Sequence, residues 1–263
     1  MSSMPDHNAP KGQVSDRRGG LARRVLAGCL VGAVGLVTAG CSVKGADNAN
    51  LIAGKKAFVA KCGSCHTLAR AETKGIVGPN LDEAFRASID EGLGRGSVRG
   101  IVEKQIAYPT KGGAMPKGLV SGATLRNISA YVAEFSARPG KDSGLLATAV
   151  EAPGAGKPAV EAGGKLSIAA SPTGQLAYVT NKATAKPGAL TIEMPNLSGV
   201  SHNIAVESGE HGATAGGAVI GASGFSTKGT VGFKATLAPG SYTFFCQAPG
   251  HRAAGMYGTL VVK

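Results

Sequence analysis

The sequence predicts two domains of different classes, an all-α domain over residues 41–138 and an all-β Greek-key sandwich over residues 165–263. In the first, apolar residues recur at the spacing of helices. In the second, short β-rich runs are separated by Gly and Pro. Residues 139–164 are rich in Ala, Gly and Pro and have no apolar periodicity, which indicates a semi-flexible linker.

Residues 1–40 have the pattern of an export signal, since an arginine-containing polar segment precedes a short apolar run. The run is short for a membrane span and ends in small residues before Cys41. This ending resembles the lipobox of bacterial lipoproteins, which implies a lipid on Cys41 and a chain anchored outside the bacterial cytoplasmic membrane, in the periplasm or on the outer face. An uncleaved membrane anchor and ordinary signal cleavage remain alternatives.

The all-α domain is expected to contain three helices. The first carries small and apolar residues on one stripe, the second ends before a Tyr-Pro pair, and the third begins at a Ser N-cap. The residues that mark them are Leu51, Gly54, Phe58 and Cys62, then Ser97–Ala107, then Ser121, Leu125, Ile128, Tyr131, Val132 and Phe135. Gly54 is expected to permit the close approach of another helix.

The stretch Cys62-Gly-Ser-Cys65-His66 predicts covalent attachment of a c-type haem. Its two thiols can form thioethers with the porphyrin vinyl groups, and the imidazole of His66 can then bind the iron. A dithiol redox motif would be expected in a βαβ context, and a zinc site would need a second Cys/His pair. Neither accompanies these residues.

The residues around this motif resemble class I c-type cytochromes over roughly ninety residues. The similarity includes Gly78-Pro79-Asn80-Leu81, Met115-Pro116 and the Tyr131-bearing last helix. It implies that the carbonyl of Pro79 accepts a hydrogen bond from His66 and that Met115 is the second axial ligand. An iron with both axial positions filled favours electron transfer over oxygen or peroxide chemistry.

Five strands are predicted in the all-β domain because of their β-rich composition and their Gly and Pro boundaries. They are residues 189–194, 202–207, 229–234, 240–245 and 258–263.

Four side chains of this domain have the spacing of a blue-copper site: His202, Cys246, His251 and Met256. Two imidazoles and a thiolate, with a weak axial thioether, are the ligands of such electron-transfer sites. Cys246 and His251 lie in one tight loop, and His202 is expected to open a distant strand that supplies the second imidazole.

This domain resembles the cupredoxins of the plastocyanin, azurin and auracyanin group over nearly its full length. The similarity rests on Tyr242-Thr-Phe-Phe-Cys246-Gln-Ala-Pro-Gly-His251 and on Gly255-Met256-Tyr-Gly258. It implies that Asn203 bonds across to the ligand loop and holds it rigid. The binuclear copper centre of terminal oxidases is excluded because it needs two bridging cysteines.

The net charge of +12 predicts redox protein partners with acidic docking surfaces. Residues 41–140 contain 14 Lys and Arg against 8 Asp and Glu, and Arg252 is expected to add to the steering of such partners. No basic run is interleaved with aromatic residues, so nucleic acid is a poor interpretation. No small-molecule substrate is identified.

Together these patterns predict a lipid-anchored carrier, not an enzyme, with one haem c and one mononuclear blue copper. It would pass single electrons between membrane-associated respiratory or photosynthetic partners. An electron-accepting subunit of an extracytoplasmic oxidoreductase and a copper delivery protein remain alternatives.

Overall fold

The structure, a computed structural model, describes residues 48–263, which belong to one compact unit, Ser42–Lys263. The predicted leader and the predicted lipidation site Cys41 lie outside the described residues. Over the described range, none of the helices has the length and apolar character needed to cross a membrane.

The first half of the described chain is helical, as the apolar spacing predicts. Its elements are α1 (Leu51–Lys61), the short hairpin β1 (Thr67–Leu68) and β2 (Thr73–Lys74), α2 (Leu81–Asp90), α3 (Arg95–Ala107) and α4 (Gly122–Phe135). Helix α2 was not expected; it begins where the Asn80 side chain accepts a hydrogen bond from the N–H of Asp82 at 3.0 Å. Ser121 is the N-cap residue of α4, although its side chain makes no capping bond.

Helices α1 and α4 cross at Gly54, and the expected close approach is confirmed. A Cβ atom at Gly54 would lie 2.2 Å from the carbonyl oxygen of Asn127 and 2.8 Å from Cβ of Tyr131. Phe58 and Tyr131 are buried beside this crossing, with their ring centroids 6.3 Å apart. The crossing therefore forms the centre of the helical core.

The second half folds into two packed sheets with a shared apolar core. The elements are β3 (Ala159–Val160), β4 (Lys165–Ser167), β5 (Lys182–Ala185), β6 (Gly188–Asn196), β7 (Ala205–Ser208), β8 (Val219–Ala222), β9 (Gly229–Leu237), β10 (Gly240–Phe245), the single turn α5 (His251–Ala254) and β11 (Tyr257–Val262). One sheet has the order β3-β5-β11-β10-β7-β8, and the other has the order β4-β6-β9. Inward-facing residues of both sheets fill the space between them.

The strand beginning at residue 202 is a correction to the sequence-based expectation. Strand β7 begins at Ala205, and His202 lies before it. There His202 forms an isolated bridge with Ser226, in which each backbone N–H donates to the other residue's carbonyl at 3.0 and 2.9 Å. His202 is therefore fixed by a loop-to-loop bridge instead of by a strand ladder.

The segment 139–164 differs from a semi-flexible linker because its first part is bound to the helices. The Asp142 carboxylate is 2.9 Å from Nζ of Lys55 and 2.9 Å from Nε of Arg70, and it accepts a 3.0 Å hydrogen bond from the Tyr131 hydroxyl. Its side chain is only 2% exposed. Composition alone does not reveal such an anchor, because its two cationic partners, Lys55 and Arg70, lie far away in sequence.

The last part of the same segment belongs to the sheet. Strand β3 pairs in parallel with β5, in the register Ala159 to Ala183 and Val160 to Thr184. Its pairing extends to the N–H of Glu161, which donates to the carbonyl of Thr184 at 2.9 Å. The connection between the two halves is thus ordered at both of its ends.

Candidate metal and cofactor sites

Three predicted ligands converge at one end of the sandwich. The metal-binding atoms of His202, Cys246 and His251 all lie within 4.8 Å of one another. The two Nδ1 atoms are 3.1 Å apart, and Sγ of Cys246 is 3.5 Å from Nδ1 of His251. His202 and Cys246 are buried, whereas His251 is partly exposed.

The loop between β10 and β11 supplies three of the four predicted ligands. Cys246 directly follows β10, His251 opens the turn α5, and Met256 directly precedes β11. The N–H of Cys246 donates to the carbonyl of Met256 at 3.1 Å, and the N–H of Met256 donates to the carbonyl of His251 at 2.9 Å. These bonds close the loop, and the side chain of Met256 is fully buried beside it.

This donor set fits a transition-metal ion. Bonds from a metal such as zinc to imidazole nitrogen and thiolate sulfur are about 2.0–2.3 Å long. The separations of 3.1 and 3.5 Å are shorter than two such bonds, and all three ligand atoms lie within 4.8 Å of one another, so the group has the size of a site for one ion. Two nitrogens, one thiolate and a neighbouring thioether are the ligands that favour copper.

The protonation states of the ligands agree with this fit. Burial, with a smaller contribution from His251, lowers the pKa of His202 to about 4. Burial also lowers the pKa of His251, so both imidazoles are neutral at pH 7 and can offer a lone pair. Burial raises the pKa of the Cys246 thiol, against the effect of the Asn203 and Ala248 backbone hydrogen bonds, so binding of a metal would displace its proton.

Asn203 ties the loop that carries His202 to the loop that carries Cys246. Its Oδ1 accepts from the N–H of Gln247 at 2.8 Å, and its Nδ2 donates to Oε1 of Gln247 at 2.8 Å. Nδ2 also donates to the carbonyl of Ser223 at 3.3 Å. The position of Cys246 relative to His202 is therefore held by a fully buried amide.

Arg252 is a correction to the expected steering charge, because it is buried and paired. Its Nη1 donates to Oε2 of Glu207 at 3.0 Å, and Nη2 bonds the other carboxylate oxygen. Its Nε donates to the carbonyl of Gly212 at 2.9 Å, and the guanidinium lies 4.2 Å from the ring centroid of Phe245. Since Arg252 directly follows His251, this pair fixes the ligand loop on β7.

The helical half contains an open apolar cavity of about 620 Å³. Cys62, Cys65, His66, Pro79 and Met115 all line it, so every residue predicted to hold the haem faces one space. Its volume is in the usual range for cofactor and ligand pockets. Within residues 48–263, the three cysteines Cys62, Cys65 and Cys246 carry free thiols.

His66 is oriented by its neighbours in this cavity. Its Nδ1 lies 2.9 Å from the carbonyl oxygen of Pro79, and a carbonyl only accepts, so Nδ1 carries the proton. Nε2 is then the nitrogen available to a metal. Gly78 packs against the ring so closely that a Cβ atom there would lie 2.4 Å from Cε1.

Cys62 is held as a neutral thiol. Burial, with a contribution from nearby Cys65, raises its pKa to about 12. The helical residues thus offer two thiols, one oriented imidazole and one thioether around an apolar space, which suits an apolar cofactor that carries a metal.

Sequence reasoning did not identify Asp142 or the Glu207–Arg252 pair as important. Glu207 lies 45 residues from Arg252, and Arg70 lies 72 residues from Asp142, so no local spacing indicates these ion pairs. Glu207 ends the predicted strand 202–207, where a charge is ordinary, so nothing in the sequence indicates its burial; in the structure it is the third of the four residues of β7.

A comparison with models of protein families finds a match over the sandwich. Residues 166–263 match the model of copper-binding proteins of the plastocyanin/azurin family. Among solved structures, reduced auracyanin from the photosynthetic bacterium Roseiflexus castenholzii is 27% identical, with 39% of this chain and 99% of that chain covered and a TM-score of 0.34. Auracyanin A from Chloroflexus aurantiacus is 26% identical, with 41% and 100% covered and a TM-score of 0.32.

Rusticyanin from Thiobacillus ferrooxidans is 21% identical, with 40% of this chain and 82% of that chain covered and a TM-score of 0.32. The comparison with curated proteins gave no match. The C-terminal part of the chain therefore has the β-sandwich fold of the cupredoxins and carries the His-Cys-His group that binds copper in a site of this type.

Proposed function

We propose that this chain is a one-electron carrier with a blue-copper centre in its β-sandwich and a covalently bound c-type haem in its helical half. The observation that carries the proposal is the convergence of His202, Cys246 and His251 in a domain that matches a copper-binding family. The cavity around Cys62, Cys65 and His66 supports the second centre.

In the sandwich, His202, Cys246 and His251 would hold copper, and the thioether of Met256 would be a weaker fourth ligand. The bound copper would accept and release one electron. A rigid ligand set suits this role, because the metal can change charge while its ligands stay in place. Asn203 and the Arg252–Glu207 pair supply that rigidity by binding the ligand loop to two other parts of the domain.

In the helical half, Cys62 and Cys65 would form the thioethers, and Nε2 of His66 would face the iron. The hydrogen bond from Nδ1 to Pro79 fixes the ring for that role. Met115 lines the same cavity and would supply a thioether ligand to the iron. This part of the proposal rests on the cavity and on the resemblance to class I cytochromes.

The absorption spectrum of the purified full chain tests the proposed function. We expect c-type haem bands and an intense thiolate-to-copper band in the oxidised protein. Cys246→Ser should abolish the copper band and leave the haem bands unchanged. A colourless cuprous protein would favour copper delivery, and turnover of a substrate would favour an oxidoreductase subunit.

Met115→Ala should open the haem iron of the reduced chain to carbon monoxide, because it removes the predicted thioether ligand. The measurement is the carbon monoxide difference spectrum. Leu119→Ala is the matched control, since Leu119 lines the same cavity and offers no ligand atom. An unchanged spectrum in Met115→Ala, with no carbon monoxide binding, would remove Met115 from the site.

We propose further that the carrier is anchored by lipid at Cys41, outside the bacterial cytoplasmic membrane, and that it meets redox partners with acidic docking surfaces. Cys41→Ser should release or misprocess the protein, whereas Cys29→Ser, within the predicted leader, should not. Membrane fractionation and mass spectrometry check this. Native protein without an acyl mass on Cys41 would contradict the lipid anchor.

A further inference from the structure

The helical half touches the copper-ligand loop beside His251. A Cβ atom on Gly250 would lie 2.7 Å from Cδ1 of Ile76 and 3.2 Å from its Cγ1, so the Ile76 side chain lies on the Gly250 backbone. Gly250 also has a φ of 79°, a conformation that favours glycine. Ile76 is 71% exposed, so its position is not explained by burial in the helical core.

The segment that carries Ile76, residues 75–79, is bound tightly to the predicted haem-attachment motif. The N–H of Gly78 donates to the carbonyl of Cys65 at 2.8 Å, and the carbonyl of Pro79 accepts from His66. The carbonyl of Gly75 accepts from the hydroxyl of Thr67 at 2.9 Å. Since the segment is fixed at both ends, Ile76 has a defined position relative to the His66 ring.

Other contacts hold the two halves in this arrangement. A Cβ atom on Gly174, in the sandwich, would lie 2.8 Å from the carbonyl oxygen of Ala60 in α1. The Gln175 side chain donates to the carbonyl of Glu151 at 3.2 Å. The connecting segment adds the Asp142 anchor at one end and strand β3 at the other.

We infer that the contact between Ile76 and Gly250 is the internal path between the two redox centres, a conclusion that rests on the proposed function. From the His66 imidazole, the path follows the Pro79 hydrogen bond and the backbone of residues 76–79. It crosses the Ile76–Gly250 contact and reaches the His251 imidazole through one peptide unit. The step balances as one electron, because oxidation of iron from ferrous to ferric accompanies reduction of copper from cupric to cuprous, or the reverse.

Flash reduction of the full chain, loaded with both metals, tests this path. In the wild type, the two centres should equilibrate at a rate independent of protein concentration, since they belong to one chain. Ile76→Ala should slow this internal step several-fold, because it opens a gap at the contact, and should leave both absorption spectra and both potentials unchanged. Ile76→Leu should retain most of the rate.

Ile220→Ala is the matched control, since it removes the same atoms from a partly exposed residue of β8, away from the contact. A second readout does not depend on electron transfer. In the fully reduced chain, the amide resonances of Gly250 and His251 should shift in Ile76→Ala and not in Ile220→Ala.

The outcomes separate the two proposals. A chain that carries only one of the two centres contradicts the proposed function, and this inference fails with it. A chain that carries both centres and exchanges electrons at the wild-type rate in Ile76→Ala contradicts the inference alone. Unshifted Gly250 and His251 resonances would show that Ile76 does not touch the loop, and this result also overturns the path.

Discussion

Arg252→Leu is expected to lower the free energy of unfolding by about 3–5 kcal/mol, because it leaves a buried carboxylate without its partner. The side chains of Arg252 and Glu207 are 11% and 1% exposed. Removing one member of such a pair lowers the free energy of unfolding by far more than the intact pair contributes to it. The remaining buried charge has lost its counter-ion and has no hydration to replace it. Urea unfolding of the copper-free chain measures the change.

The double variant Arg252→Leu with Glu207→Leu distinguishes a charge effect from lost packing. If the loss of stability in Arg252→Leu comes from the unpaired Glu207 carboxylate, removing both charges should recover most of the free energy of unfolding. Lys165→Met is the control, because Lys165 is 58% exposed in its ion pair with Glu193 and the pair should contribute only about 0–1 kcal/mol. A cost in Arg252→Leu no larger than in this control would contradict the role of the pair.

Asp142→Ala should destabilise the helical half by a similar amount, about 3–5 kcal/mol, because it leaves the buried Lys55 and the partly buried Arg70 without their shared carboxylate. Lys55 and Arg70 share this carboxylate, and their side chains are 6% and 16% exposed. Glu134→Ala is the matched control, since Glu134 and Arg138 form a surface pair. Denaturant unfolding followed by helical circular dichroism compares the two variants.

The difference in free energy of unfolding between wild type and Asp142→Ala should depend on pH, which gives an independent check. Burial raises the pKa of Asp142, but hydrogen bonds from Lys55, Arg70 and Tyr131 outweigh it and leave the pKa below its ordinary value. A lowered pKa contributes stability above the unfolded-state value, about 3.9, and that contribution disappears as the pH falls through the folded-state value. The difference between wild type and Asp142→Ala should therefore be largest near neutral pH. A difference that stays constant down to pH 2 would exclude this ionic origin.

Local spacing explains which parts of the sites could be predicted from the sequence. Cys62, Cys65 and His66 lie within five residues, and Cys246, His251 and Met256 lie within eleven, so each ligand group is visible as a motif. His202 required an inference across the sandwich, and its identity as a ligand candidate was predicted although its place in a strand was wrong.

Long-range pairing explains what the sequence did not reveal. Strands β5 and β8 have only four residues each. Val-Ile-Gly-Ala does not alternate, and Lys-Ala-Thr-Ala alternates over too short a run to stand out from the surrounding loops. Arg252 was expected to be a surface charge because most arginines are, and its partner lies on another strand. Ile76 has no sequence signal at all, since its importance depends on which loop lies opposite.

The pairing of β3 with β5 affects how the chain can be divided. A copper domain that begins at residue 165 would lose β3 and expose the backbone edge of β5, whose unpaired N–H and C=O groups could pair with another molecule. The segment between the halves is thus also the cover of a sheet edge. Excising the sandwich at residue 165 is therefore expected to produce a domain prone to self-association, whereas an excision that keeps residues 159–164 would keep the edge of β5 covered.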